Sequence, residues 1–243
     1  LEGRALEILD RIGGPENAAR EVAEIRSALA QEAGRWSELF AAYRRPLAIG
    51  ALLAVFSQLS GINTVMYYAP EIFKAAGAAQ DAAFAQTVTV GAVNLLFTFV
   101  AIAFVDRAGR RPLLLIGTAV QAVSLFMVGL LFGRGGSGWL LLGGVLSFVA
   151  AFAMAMGPVS WIVNSEIFPN KFRGRAMAVS ISLLWLSCFA VSQTFPMLLD
   201  ALGPSRTFWV YGGLSLLSLL FVARFVPETK GRTLEEIEAG WRR

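Results

Sequence analysis

Six apolar stretches without a charged residue follow one another along the chain: about Leu47 to Tyr68, Gln86 to Val105, Leu113 to Phe132, Trp139 to Ser165, Ala176 to Leu199 and Thr207 to Ala223. A helix needs about 20 mostly apolar residues to cross the hydrocarbon core of a bilayer, so each stretch predicts one membrane-spanning helix. None shows the short segments of alternating polarity that a membrane barrel requires, which leaves helices as the way to satisfy the backbone in lipid.

Upstream of these, Val22, Ile25, Leu29, Trp36 and Phe40 recur at helical spacing, with Glu16/Arg20 and Arg20/Glu24 as i,i+4 ion pairs on the other side. They predict an amphipathic helix outside the bilayer, either a linker on the membrane surface or a part of gating. A shorter helix, Gly3 to Ile12, stops at Gly13-Gly14-Pro15. The chain thus divides into a cytoplasmic helical linker (1–45), a six-helix transmembrane domain (46–226) and a charged cytoplasmic tail (227–243) that turns helical around Leu234 to Ile237. Connections between spans are short apart from an outer loop at Glu71 to Ala85.

Composition agrees with this reading: 56% of the residues are hydrophobic and 16% charged, with a mean hydropathy of +0.61, too apolar for a soluble domain. Eighteen of the 21 Lys and Arg residues fall on one side of the predicted bundle, leaving Lys74, Arg134 and Arg206 on the other. Cytoplasmic loops carry the excess of basic residues, so both ends of the chain are expected in the cytoplasm of a multi-pass protein of the cell (plasma or inner) membrane. The pI of 9.6 reports that topology and not nucleic-acid binding. The chain has no histidine and a single cysteine, Cys188, in mid-span. An internal disulfide is therefore excluded, and neither a metal site nor a cofactor is expected. No nucleophile stands beside a base, which argues against an enzyme. The chain opens with Leu1 and its first 43 residues are too polar for a signal peptide, so it reads as a fragment.

Polar side chains inside the spans carry the chemistry. Ser57-Gln58-Leu59-Ser60-Gly61-Ile62-Asn63-Thr64 interrupts the first span, and buried amides are costly unless partnered. Gln58 and Asn63 stand five residues apart, about 140° around an ideal helix, so only unwinding at Gly61 or a broad ligand brings both to one point. Asn94 is the one amide in the middle of the second span, Trp161 follows a break at Gly157-Pro158, and Trp185 lies in the fifth span. Amides that donate and accept, beside flat indoles, suit a neutral polyol better than an ion. The competing reading is that the amides glue helices together and the tryptophans pack or anchor at the interface. No Asp, Glu, Lys or Arg falls inside a span, so no intramembrane carboxylate is available here to carry a proton. At the basic end, Asp106-Arg107-Ala108-Gly109-Arg110-Arg111-Pro112 sets both charges in a tight turn, and Glu166 and Arg173 flank the next loop. Such groups form interhelical ion pairs that hold one conformation and break in another.

Four ordered motifs resemble the sugar porter family of the major facilitator superfamily. SQLSGIN followed by Tyr67-Tyr68-Ala69-Pro70 is similar to its seventh-helix signature, and DRAGRRP (Asp106 to Pro112) to its loop between helices eight and nine. GPVSWIVNSEIFPNKFRG (Gly157 to Gly174) is similar to its tenth helix and following loop, and PETKG (Pro227 to Gly231) to its C-terminal signature.

The resemblance implies an all-α membrane protein: helices seven to twelve of a twelve-helix transporter, a half built as a 3+3 inverted repeat, with a preceding cytoplasmic segment and a six-helix N-terminal half as partner. It implies transport of a monosaccharide, hexose or pentose, by alternating access, by proton symport ahead of facilitative uniport; a membrane sugar sensor is the alternative of another class. By the same resemblance Gln58, Asn63, Asn94 and Trp161 hydrogen-bond the sugar and Trp185 forms a wall. Tyr67 belongs to an outer gate; bending at Gly61 and at Gly157-Pro158, expected from the residues themselves, adds local gates. Asp106, Arg107, Arg110, Arg111, Glu166 and Arg173 form the inner charge network. Ser57, which also faces the site, stands where the family commonly has Gln, and Leu184 where it commonly has a polar residue. Both changes remove amide contacts and bear on which sugar is preferred.

Overall fold

The computed structural model describes residues 2–15, 17–23, 36–75, 77, 79–135, 138–232, 236–237 and 241, and among them there is helix and no strand. The expected pairs of Glu16 and Glu24 with Arg20, the positions Ile25 and Leu29 and most of the tail helix lie outside the described residues. A first helix, α1 (Glu2–Gly13), precedes helical residues 17–23, and α2 (Trp36–Ala42) leads into the bundle. Lys171 Nζ bonds Glu38 Oε2 at 3.1 Å and the Arg175 guanidinium lies over the Trp36 ring, tying α2 to the membrane domain.

The first span is broken, into α3 (Arg44–Leu59) and α4 (Ile62–Tyr67). Gly61 between them has φ +82°, a left-handed conformation that glycine reaches without strain. Next comes α5 (Ala69–Ala75), then α6 (Gln80–Ala108), α7 (Arg110–Gly133), α8 (Gly138–Met154), α9 (Met156–Glu166) and α10 (Asn170–Phe225). The expected loop at Glu71 to Ala85 is thus mostly helical: Pro70 starts α5, and the alanine-rich run with Asp81 in its first turn starts α6 early. Among the described residues five spans are long and apolar enough to cross a membrane, and the longest, α10, doubles back at Gly203 (φ 75°, ψ 167°). The Phe195 and Tyr211 rings lie 6.0 Å apart, whereas sixteen residues along an unbroken helix would separate them by about 24 Å. Six crossings result.

The second break also differs from expectation. It falls at Ala155 (φ −125°, ψ −85°), and Gly157 and Pro158 lie in the first turn of α9. Pro158, which has no N–H to donate, fits there, because the first-turn N–H groups of a helix have no preceding carbonyl to bond.

Helix α10 packs on α7 and α3, α7 on α8, and α8 on α6. Small residues let the backbones approach: a Cβ on Gly117 of α7 would collide with the Cβ of Ala155, and one on Gly129 with the ring of Trp209. Apolar packing separates into two clusters. One, at the basic end, is built around Leu53, Leu114, Val159, Phe168 and Val222. The other, at the opposite end, is built around Ile62, Phe73, Val128, Phe148 and Phe195. The breaks at Gly61 and Ala155 lie where the two clusters meet.

Candidate functional site

At that level a cavity of about 400 Å³ opens, lined by Ser57, Gln58, Ile62, Asn63, Met66, Tyr67, Asn94, Phe152, Met156, Gly157, Ser160, Trp161, Leu184 and Trp185. The first span supplies one wall, α6 supplies Asn94, and α9 and α10 bring Trp161 and Trp185. Trp161, Tyr67 and Trp185 are 42%, 59% and 60% exposed, which puts the aromatic side chains at an open mouth. No charged residue lines the cavity.

The break at Gly61 resolves the geometry of the two amides. Asn63 Nδ2 donates to Gln58 Oε1 at 2.6 Å and to Cys188 Sγ at 3.1 Å. Gln58 Nε2 donates to Ser57 Oγ at 3.3 Å, and Ser57 Oγ donates to the Ala54 carbonyl at 2.7 Å. Hydrogen bonds thus run in one direction from Asn63 to the α3 backbone. With its amide protons committed, Asn63 keeps Oδ1 as an acceptor, and Gln58 keeps one N–H as a donor. A hydroxyl, which donates and accepts, matches that pair. Asn94 lines the same cavity from across it.

Of the positions singled out for this site, Ser57, Gln58, Asn63, Tyr67, Asn94, Gly157, Trp161 and Trp185 line the cavity. Gly61 lies behind it, where an added Cβ would sit 2.9 Å from Tyr211 Cδ1, and Pro158 is not on its lining. Sequence reasoning missed Cys188, whose partner Asn63 is 125 residues away. A signal existed, since Cys188 stands three residues after Trp185 on one helix face.

The charge cluster forms a second centre at the basic end. Arg110 Nη2 bonds Glu166 Oε1 at 2.9 Å and Arg110 Nε bonds Glu166 Oε2 at 3.3 Å, a two-pronged contact. Arg110 Nη1 also meets Asp106 Oδ1 at 2.9 Å. Thr229 Oγ1 donates to Glu166 Oε2 at 2.5 Å. Arg111 turns away and donates to the Ala223 carbonyl at 2.6 Å, and the Arg107 carbonyl accepts from Lys230 Nζ at 2.6 Å. Among the described residues Arg173 pairs with no carboxylate, so the structure does not bring it into the cluster.

Glu228 was missed, although it stands in PETKG. Its carboxylate accepts the backbone N–H groups of Arg110 and Arg111, each at 3.1 Å, and of Thr229 and Lys230, each at 2.9 Å. It therefore caps α7 from 117 residues away, occupying the positive end of that helix. Gly109, with φ +91°, leaves room for it, because a Cβ there would lie 2.8 Å from Glu228 Oε2. Burial pushes the Glu228 carboxyl up, but the N–H groups of Lys230, Arg110, Arg111 and Thr229 outweigh burial and hold it below the usual range. No interval along the chain signals this contact.

The family model described as "Sugar (and other) transporter" matches residues 1–241. The chain is 43% identical over 240 residues to the D-xylose-proton symporter of Escherichia coli (strain K12), covering 96% of this chain and 49% of that protein. It is 42% identical over 240 residues to the arabinose-proton symporter of Bacillus subtilis (strain 168), covering 98% and 52%. The glucose facilitated diffusion protein of Zymomonas mobilis is 43% identical over 199 residues, covering 79% of this chain and 42% of that protein. Among solved structures, the proton:xylose symporter XylE bound to 6-bromo-6-deoxy-D-glucose superimposes with a TM-score of 0.81 at 43% identity, covering 97% of this chain and 51% of the other. The chain spans about half the length of the curated relatives it matches.

Proposed function

The chain belongs to the sugar porter family of the major facilitator superfamily, and on that premise we propose that it forms the sugar-binding C-terminal half of a monosaccharide transporter working by alternating access. It is a multi-pass membrane protein of the all-α class. The observation that carries the proposal is the Asn63–Gln58 contact, which turns two amides onto one uncharged cavity walled by Trp161 and Trp185. A volume of about 400 Å³ lies within the ordinary range of small-molecule sites, roughly 300–1,000 Å³. The open mouth is completed by a second six-helix half, and both ends of this chain face the cytoplasm.

The relatives named as proton symporters favour coupling to a proton. No carboxylate lines this cavity, so a proton carrier would lie elsewhere in the transporter. A facilitated-diffusion relative of equal identity keeps uniport as the second reading. Two rigid halves rock about the cavity, and Arg110, Glu166, Asp106 and Glu228 latch one of the two states. Ser57, turned onto the Ala54 carbonyl, and Leu184 offer the substrate no amide, which favours a sugar recognised through fewer contacts on that side.

Counterflow by the intact transporter in liposomes, across a panel of hexoses and pentoses, tests the proposal. Saturable, sugar-specific exchange supports it, and no exchange of any sugar overturns it. A pH jump on uptake then separates symport, which responds, from uniport, which does not.

A further inference from the structure

Beside the large cavity lies a small one of about 10 Å³, lined by α9 and α10 with Ala54 of α3. It shares Ser160, Trp161 and Leu184 with the large cavity, so only side chains separate the two. Its volume is about that needed to hold one water molecule.

Among its mostly apolar lining residues stand three polar ones, Ser160, Asn164 and Ser180. Asn164 and Ser180 are 5% and 2% exposed, and Asn164 Oδ1 and Ser180 Oγ are both buried without a hydrogen-bond partner. The other end of the Asn164 amide is engaged, Nδ2 donating to the Gly50 carbonyl of α3 at 3.3 Å. Ser160 Oγ–H is committed to the Met156 carbonyl at 2.6 Å, so its oxygen is left as an acceptor. A buried polar atom left without a partner is unfavourable, and a water supplies one. Together these groups offer two acceptors and one O–H donor on residues that line a space for one water.

We propose that a single water molecule resides between Asn164, Ser160 and Ser180 and fixes α9 against α10 behind the tryptophan walls of the cavity. It donates to Asn164 Oδ1 and Ser160 Oγ and accepts from Ser180 Oγ–H, three bonds, the usual number for a buried water. Asn164 lies three residues after Trp161 and two before Glu166 on α9, and Ser180 lies five before Trp185 on α10. The water therefore sets the spacing of the two indole-bearing helices, with Asn164 anchored to α3 through Gly50. Asn164 and Ser180 are positioning residues and line no part of the large cavity.

The water site stands on the small cavity and its unpaired atoms; the positioning role rests on the proposed function. A structure of the intact transporter at about 2 Å or better is the first test. A solvent peak at hydrogen-bond distance, roughly 2.7–3.2 Å, from Asn164 Oδ1 and Ser180 Oγ is expected, and an ordered but empty cavity overturns the proposal. The second test compares Ser180→Thr with Ser180→Val, two side chains of nearly equal shape. Only the valine variant is expected to raise the sugar KM, by about 2–10-fold, with kcat unchanged. Equal KM values for the two overturn the positioning role. If the wild-type transporter moves no sugar, the proposed function fails while the solvent peak still decides the water site.

Discussion

Asn63 and Gln58, five positions apart, meet through Nδ2 and Oε1 at 2.6 Å, a contact that a straight helix forbids by turning one about 140° from the other. The left-handed turn at Gly61 makes the wall of the cavity out of a sequence that would otherwise scatter its amides around a helix.

Removing either amide leaves the other without its partner and takes a contact from the sugar. Gln58→Ala and Asn63→Ala are each expected to raise the sugar KM by roughly 10–100-fold, following a loss of about 1–3 kcal/mol. Initial rates of counterflow by the intact transporter measure it, and an unchanged KM for both variants counts against the site.

Gly61 and Pro158 are expected to respond differently. Gly61→Ala puts a side chain on φ +82° and a Cβ 2.9 Å from the Tyr211 ring, so it should lower stability by about 1–2 kcal/mol and separate the amides. Pro158→Ala restores an N–H in the first turn of α9 and leaves the Ala155 break in place, so it should change transport less than twofold, about 0.4 kcal/mol. Thermal unfolding in detergent together with uptake kinetics measures both, and equal effects would refute the distinction.

In the charge cluster the two ion pairs of Arg110 are unequal. The side chains of Arg110 and Glu166 are 13% and 27% exposed and meet through two bonds, whereas that of Asp106 is 79% exposed. A double-mutant cycle with glutamine and asparagine substitutions should give a coupling of about 1–3 kcal/mol for Arg110–Glu166. The Arg110–Asp106 cycle should give about 0.5 kcal/mol or less. Equal couplings would mean that burial does not set the strength of this latch.

Glu228 predicts a pH dependence. Its folded carboxyl titrates below the usual glutamate range, against burial and because of four backbone N–H donors. A depressed folded pKa contributes stability that is complete above the unfolded value and is lost as pH falls through the folded one. The stability gap between wild type and Glu228→Gln, about 1 kcal/mol at neutral pH, should therefore close on the acid side of the glutamate range. Unfolding temperatures followed against pH measure it, and a gap independent of pH excludes the carboxylate as its source.

Gly117→Ala tests the close approach of α7 to the second break. The added Cβ would collide with the Cβ of Ala155 and lie 3.0 Å from the Ala151 carbonyl oxygen, which cannot rotate away. A destabilisation of about 1–3 kcal/mol is expected in detergent unfolding, against little change for Gly143→Ala, whose Cβ meets nothing within 4 Å.

Six runs of about twenty apolar residues were enough to place the chain across a membrane with its basic residues gathered at one end, because such runs are most stable in the hydrocarbon core. The sequence also marked Gln58, Asn63, Asn94, Trp161 and Trp185 as polar or aromatic groups needing a reason. Pro158 announced a second break, but only the folded chain shows it at Ala155, three residues earlier, where α9 begins. Tertiary structure alone turned Asn63 toward Gln58 and Cys188, and brought Glu228 onto the N-terminus of α7 while leaving Arg173 out of the cluster. Those contacts join residues up to 125 positions apart, and periodicity, which reports which way a side chain faces, does not report what it meets.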